Sequence, residues 1–164
     1  MNYILGGGGF SSRLYTEVRE KRGLAYSVYS YLNPMPRAAT ISGGVATRNN
    51  QVAQSINVIR NEWGRMRNFG PSVREIADAK TYLNGSFPLQ LSSTSSIARM
   101  LVAMQYHDLG IDYIDRRDEL INVVTLADVQ RVAGRILDPK QLTVVVVGKP
   151  KGVEPTAEAP EIEN

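Results

Sequence analysis

Ala25-Tyr26-Ser27-Val28-Tyr29-Ser30-Tyr31 alternates residue by residue and is rich in β-formers, the pattern of a half-buried strand. A turn at Asn33-Pro34-Met35-Pro36 separates it from Ala39-Thr40-Ile41-Ser42-Gly43-Gly44-Val45, a second strand weakened by its glycine pair. The two are expected to form a hairpin. Upstream, Ser11-Ser12 can cap a helix from about Arg13 to Arg22, ended by Gly23. Downstream, Val52, Ile56, Ile59, Trp63 and Met66 recur at helical spacing, and Gly70-Pro71 stops that helix. Ser72-Val73-Arg74-Glu75 is a capping box for a helix reaching Ser86. Further helices are expected over 93–109, 112–123 and, opened by Thr125-Leu126-Ala127-Asp128, to about Leu137. Leu142-Thr143-Val144-Val145-Val146-Val147 is apolar on both faces and reads as a central strand. The helices are segregated from the strands, which predicts an α+β fold: a mostly antiparallel sheet with helices packed on one face.

Length and composition agree with one domain. The chain has 164 residues, 43% hydrophobic and 21% charged, an ordinary globular balance. No apolar run approaches a membrane span. Residues 1–149 are expected to form the domain and residues 150–164, rich in Pro, Glu and Ala, a flexible acidic tail. Met1-Asn2-Tyr3-Ile4-Leu5 running into Gly6-Gly7-Gly8-Gly9 reads as the last turn of a helix stopped by glycine. That start suggests a fragment cut inside a larger protein, lacking the strand that opens the domain and leaving a sheet edge open to self-association.

The residue inventory excludes much chemistry. There is no cysteine and one histidine, so disulfides, thiolate catalysis and a histidine-rich zinc site are out of reach. His107, next to Asp108 in a helical pattern, has no second histidine to work with and reads as a helix-flank residue. The glycine run lacks a following Gly-Lys-Ser/Thr and a leading strand, so it reads as a backbone reversal before it reads as a phosphate loop. Ser92-Ser93-Thr94-Ser95-Ser96 precedes a helix and is explained by capping. The net charge is +3, with a tail carrying one Lys and four Glu and the excess of Arg falling in residues 1–150. A nucleic-acid surface is one reading of that excess, but the basic residues are scattered, and Arg60, Arg65 and Arg67 fall on one helix whose solvated face accounts for them.

The stretch from Leu5 through Gly6-Gly7-Gly8-Gly9-Phe10-Ser11-Ser12-Arg13-Leu14 to Arg22-Gly23-Leu24-Ala25-Tyr26-Ser27-Val28 resembles the signature of the pitrilysin-type zinc peptidases, relatives of the mitochondrial processing peptidase. The resemblance continues through Ile41-Ser42-Gly43 and covers roughly residues 1–149. It implies one of two homologous halves facing each other across a chamber. One half carries zinc on an inverted His-x-x-Glu-His motif; the other supplies an Arg and a Tyr seven residues apart, here Arg19 and Tyr26. This sequence has no His-x-x-Glu-His, so the resemblance implies the non-catalytic half, inactive alone, binding no metal itself and completing a zinc-bearing partner. The implied substrate is a peptide, with Gly6, Gly7, Gly8 and Gly9 as a candidate loop of the chamber. The resemblance favours a periplasmic location, with a cytoplasmic one open. The alternative is a structural or peptide-binding subunit without a role in proteolysis. Read from the residues alone, Tyr26 is a strand-face aromatic alongside Ser30, and Arg19 a surface charge.

Overall fold

The computed structural model describes residues 1–35 and 37–157. Pro36 of the expected turn and residues 158–164 of the expected acidic tail lie outside the described residues. β1 (Ala25–Asn33) and β2 (Thr40–Thr47) form the antiparallel hairpin, with Val28 opposite Val45, Ser30 opposite Gly43 and Leu32 opposite Ile41. The glycine pair in β2 serves close approach. A Cβ on Gly43 would stand 2.4 Å from the Tyr29 carbonyl oxygen, and one on Gly44 would meet the Tyr29 hydroxyl at 2.9 Å, so the Tyr29 ring lies over the bare backbone of Gly44.

Three short helical turns precede the hairpin among the described residues, a 3-10 turn at Gly9–Ser11 lying between two wider ones. Tyr3–Gly7 and Tyr15–Glu20 both take the wider π form, where an α-helix from Arg13 to Arg22 is expected from the sequence. The Lys21 N–H reaches back five residues to the Thr16 carbonyl at 3.0 Å. The first turn packs against β1 because it carries glycine. A Cβ on Gly6 would lie 2.4 Å from the Ser30 hydroxyl and 2.8 Å from its backbone nitrogen. Asn2 completes the junction, donating to the Ser30 carbonyl at 3.3 Å and accepting from the Ser30 hydroxyl at 2.7 Å.

Among the described residues five α-helices follow: α1 (Val52–Phe69), α2 (Val73–Ser86), α3 (Thr94–Tyr106), α4 (Tyr113–Asn122) and α5 (Leu126–Ile136). Their starts are set locally. Ser72 and Glu75 form the reciprocal capping box of α2, and Thr125 and Asp128 that of α5. Gly70, at φ 65°, ends α1 in a conformation that glycine takes without strain. The core gathers Leu5, Leu14 and Val18 from the π turns, Val28 from β1, Trp63 and Met66 from α1, and Ala133 and Leu137 from α5 and its end. α4 packs on α2 through buried Arg117, whose guanidinium lies 4.2 Å from the Phe87 ring centroid and donates to the Leu83 carbonyl. α3 is peripheral: Met104 is buried, while Leu101 and Val102 are exposed.

The expected central strand over Leu142–Val147 is not formed. A strand gains its stability by pairing its backbone with a neighbour, and among the described residues no strand is bonded to this segment. Leu142 packs on the core, but Val145 is 84% and Val147 95% exposed. The chain then returns to the start of α1, where the Lys151 N–H donates to the Asn49 carbonyl at 2.8 Å. Among the described residues no helix is long and apolar enough to cross a membrane.

Candidate functional site

Tyr26 leaves its strand's pattern. Ala25 pairs with Thr47 and Ser27 with Ala46, so β1 takes two steps where β2 takes one, and Tyr26 is the extra residue of a β-bulge. Strict alternation would put Tyr26 on the face of Val28 and Ser30, both buried. The bulge turns it outward instead, and its side chain is 81% exposed. The reading of Tyr26 as a strand-face aromatic alongside Ser30 is therefore corrected.

Arg19 comes to Tyr26 from the second π turn. Its guanidinium carbon lies 4.5 Å from the centroid of the Tyr26 ring and 4.9 Å from that of Tyr15, the residue one helical turn earlier. Tyr15 is itself buried and wedged edge-on against Phe10 at 4.8 Å. The two rings hold the planar cation by cation–π attraction, worth roughly 0.5–1 kcal/mol at an exposed position. Among the described residues Arg19 makes no ion pair, whereas its neighbours Lys21 and Arg22 both bond Glu17, at 2.6 and 2.5 Å. Lys21 first, then Arg22, hold the Glu17 carboxyl below the usual carboxylate range. The result is a half-buried guanidinium, held between two rings, beside an exposed phenol. A guanidinium fork suits a carbonyl or carboxylate, and a neutral phenol can donate to an oxygen that gains negative charge.

The glycine run is split by its surroundings. Gly6 is buried against Ser30 and Gly8 is tight against Tyr3, while Gly7 and Gly9 are exposed, Gly9 with φ 55° and no neighbour in the way of a Cβ. Two open clefts of about 300 and 410 Å³ flank Tyr3 and Tyr82, which stack at 5.1 Å. Neither includes Arg19 or Tyr26. The first holds Glu75, which the Arg13 guanidinium, at 2.6 and 2.8 Å, brings down to a pKa of about 2. His107 ends α3 beside the Tyr106 ring. Arg65 and Arg67 of the basic helix face both meet carboxylates, Glu62 and Asp138. Among the described residues no three His, Asp or Glu side chains stand close enough together to hold a metal ion. The residues present do not fit a zinc centre.

Fold and site thus define a helix-covered α+β domain that brings an Arg and a Tyr together and, among the described residues, has no cluster of metal-ligating side chains. The chain belongs to the family described as the peptidase M16 inactive domain, whose model matches residues 1–83. It is 35% identical over 136 residues to the uncharacterized zinc protease YmxG of Bacillus subtilis, a match covering 82% of this chain and 32% of that protein. It is also 35% identical over 111 residues to the non-peptidase homolog YmxG of Helicobacter pylori, covering 68% of this chain and 25% of that one. Among solved structures it is similar to the peptidase M16 inactive domain from Pseudomonas fluorescens, at 33% identity and a TM-score of 0.75 over 84% of this chain and 32% of that one. The chain thus spans about a third of the length of these relatives or less.

Proposed function

We propose that this domain is the non-catalytic half of a zinc-dependent peptidase and that Arg19 and Tyr26 act on a peptide held by a zinc-bearing half. The observation that carries this reading is the convergence of the two side chains: a bulge exposes Tyr26, and its ring and that of Tyr15 hold Arg19. The zinc of the other half supplies the Lewis acid for hydrolysis. The part of this chain is to orient and stabilise. Arg19 holds a backbone carbonyl or carboxylate of the peptide in its fork. Tyr26 donates its phenol proton in a hydrogen bond to the scissile carbonyl oxygen as that oxygen becomes anionic. In this reading Gly7 and Gly9, the exposed members of the glycine run, line the chamber, while Gly6 and Gly8 only let the first π turn pack. The outer edges of the two-stranded sheet offer backbone groups for pairing with a neighbour.

A second reading is an assembly or peptide-binding subunit without a part in proteolysis. The likeness to a relative named a non-peptidase homolog favours it. Cleavage of a quenched fluorogenic peptide library by the zinc-bearing half, with and without this domain in its complete form, separates the two. Cleavage that requires both halves supports the first reading. Cleavage indifferent to this domain, or absent altogether, supports the second.

A further inference from the structure

Glu17 is 8% exposed, an unusual place for a carboxylate on a short surface turn. It lies two residues before Arg19 and grips the two cations that follow it. One carboxylate oxygen accepts from Lys21 Nζ at 2.6 Å; the other accepts from Arg22 Nη1 at 2.5 Å. Arg22 Nη1 also donates to the Glu17 carbonyl at 2.8 Å, so a side chain satisfies a main-chain acceptor of the turn. The segment 17–22 is thereby closed on itself, with Arg19 in its middle. From α1, Arg65 approaches the same carboxylate at 3.9 Å while bonding Glu62 at 2.7 Å. Glu62 is 3% exposed, and among the described residues its second oxygen has no hydrogen-bond partner, so α1 commits a buried charge to holding Arg65 in place.

The arrangement sorts charge. Arg19, Lys21 and Arg22 stand within four positions of one another, and the buried carboxylate takes the last two. Arg19 is left to the Tyr15 and Tyr26 rings, which hold its guanidinium by cation–π contact, an attraction that needs no N–H···O bond. The π form is part of this. Its wider turn puts residues five apart in register, which is the separation of Glu17 from Arg22 and of Thr16 from Lys21.

We propose that Glu17 is a positioning residue: it fixes the π turn and engages Lys21 and Arg22 in ion pairs, so that Arg19 is held in place with its N–H fork uncommitted for an anionic or carbonyl group of the peptide. The proposal rests on the reading of Arg19 given above, and its test separates the two. In the complete protein assembled with its zinc-bearing half, Glu17→Gln is expected to lower kcat/KM for a fluorogenic peptide about tenfold, and Glu17→Asp to restore part of the loss. In an Arg19→Ala background, Glu17→Gln is expected to have no further effect, because Glu17 acts through Arg19. A merely structural loss would add in both backgrounds. A second readout needs no activity. The Arg19 side-chain resonances, shifted by the Tyr15 and Tyr26 ring currents in the parent protein, are expected to move toward free-arginine values in Glu17→Gln. Resonances unchanged by Glu17→Gln overturn the positioning role, whatever the turnover shows. Arg19→Ala with full turnover overturns the role of Arg19 in peptide cleavage, and the resonances still decide whether Glu17 holds it.

Discussion

The Arg19 guanidinium carbon lies 4.5 Å from the centroid of the Tyr26 ring, although one residue belongs to a π turn and the other to a strand. The contact exists because Tyr26 is the extra residue of a bulge and so points away from buried Val28 and Ser30. Tyr26→Phe keeps the ring that holds Arg19 and removes only the hydroxyl. Turnover by the assembled peptidase is expected to fall about 100-fold, the scale of losing one donor to a developing oxyanion, with assembly of the halves unchanged. Arg19→Lys keeps the charge but loses the planar fork, and is expected to lower kcat/KM by about tenfold or more. Steady-state kinetics beside a sizing column checks both; full turnover by Tyr26→Phe removes the hydroxyl from the mechanism.

The elements that local chemistry decides were legible from the residues. Ser72 with Glu75 and Thr125 with Asp128 announce two helix starts, and both capping boxes are formed. Val52, Trp63 and Met66 announce the buried face of α1. Of the candidate site, only the pair of positions Arg19 and Tyr26 was legible, not their contact. That Tyr26 leaves its face depends on the register between Ala25–Thr47 and Ser27–Ala46, a non-local property that alternation along one strand cannot carry. The burial of Glu17 and Glu62 is not legible because a charged residue is ordinarily a solvent residue, and their local pairs with Lys21, Arg22 and Arg65 look the same on a solvated face. The π turns escaped because apolar spacing over so few residues does not distinguish a wide turn from an α-helical one. Leu142–Val147 misled in the opposite sense: β-branched residues favour extended backbone, but a strand also needs a partner.

Gly43 and Gly44 are adjacent but differ in what an added methyl would meet. At Gly43 it would lie 2.4 Å from the backbone oxygen of Tyr29, which cannot move without parting the strands. At Gly44 it would meet the Tyr29 hydroxyl at 2.9 Å, the far end of a half-exposed side chain. Gly43→Ala is expected to cost about 2–3 kcal/mol and Gly44→Ala less than about 1 kcal/mol. Thermal melts of the two variants decide it; equal losses would mean that the strands adjust to both methyls alike.

Arg13 and Glu75 join the segment before the second π turn to the start of α2 by a two-point ion pair at 2.6 and 2.8 Å. The Glu75 carboxyl is depressed to about 2, chiefly by Arg13 and then by Ser72. A depressed folded-state pKa stabilises the fold above the ordinary carboxylate pKa, and that contribution is lost as pH falls toward 2. Because Glu75 is about one-third exposed, the contribution is discounted for solvent screening to on the order of 1–2 kcal/mol. Glu75→Gln is expected to lower the melting temperature at pH 7, with the gap to the parent closing between pH 4.5 and pH 2. A gap that stays constant over that range assigns the loss to the capping box instead of the charge.

Val145 and Val147 are 84% and 95% exposed in a run of β-branched residues that, among the described residues, pairs with no strand. A charged side chain at either position displaces nothing, so Val145→Lys and Val147→Lys are each expected to change stability by less than about 0.5 kcal/mol. Both should reduce association of this chain with itself, because an extended apolar run with unpaired backbone is a template for intermolecular strand pairing and a lysine within it opposes that pairing. Light scattering at rising protein concentration, beside a thermal melt, reads the two effects separately. Lower scattering at an unchanged melting temperature is the expected result. A melting temperature that drops by several degrees would show that the valines are buried against something in solution, and a scattering curve that does not move would place the sticky surface elsewhere, on the outer edges of β1 and β2.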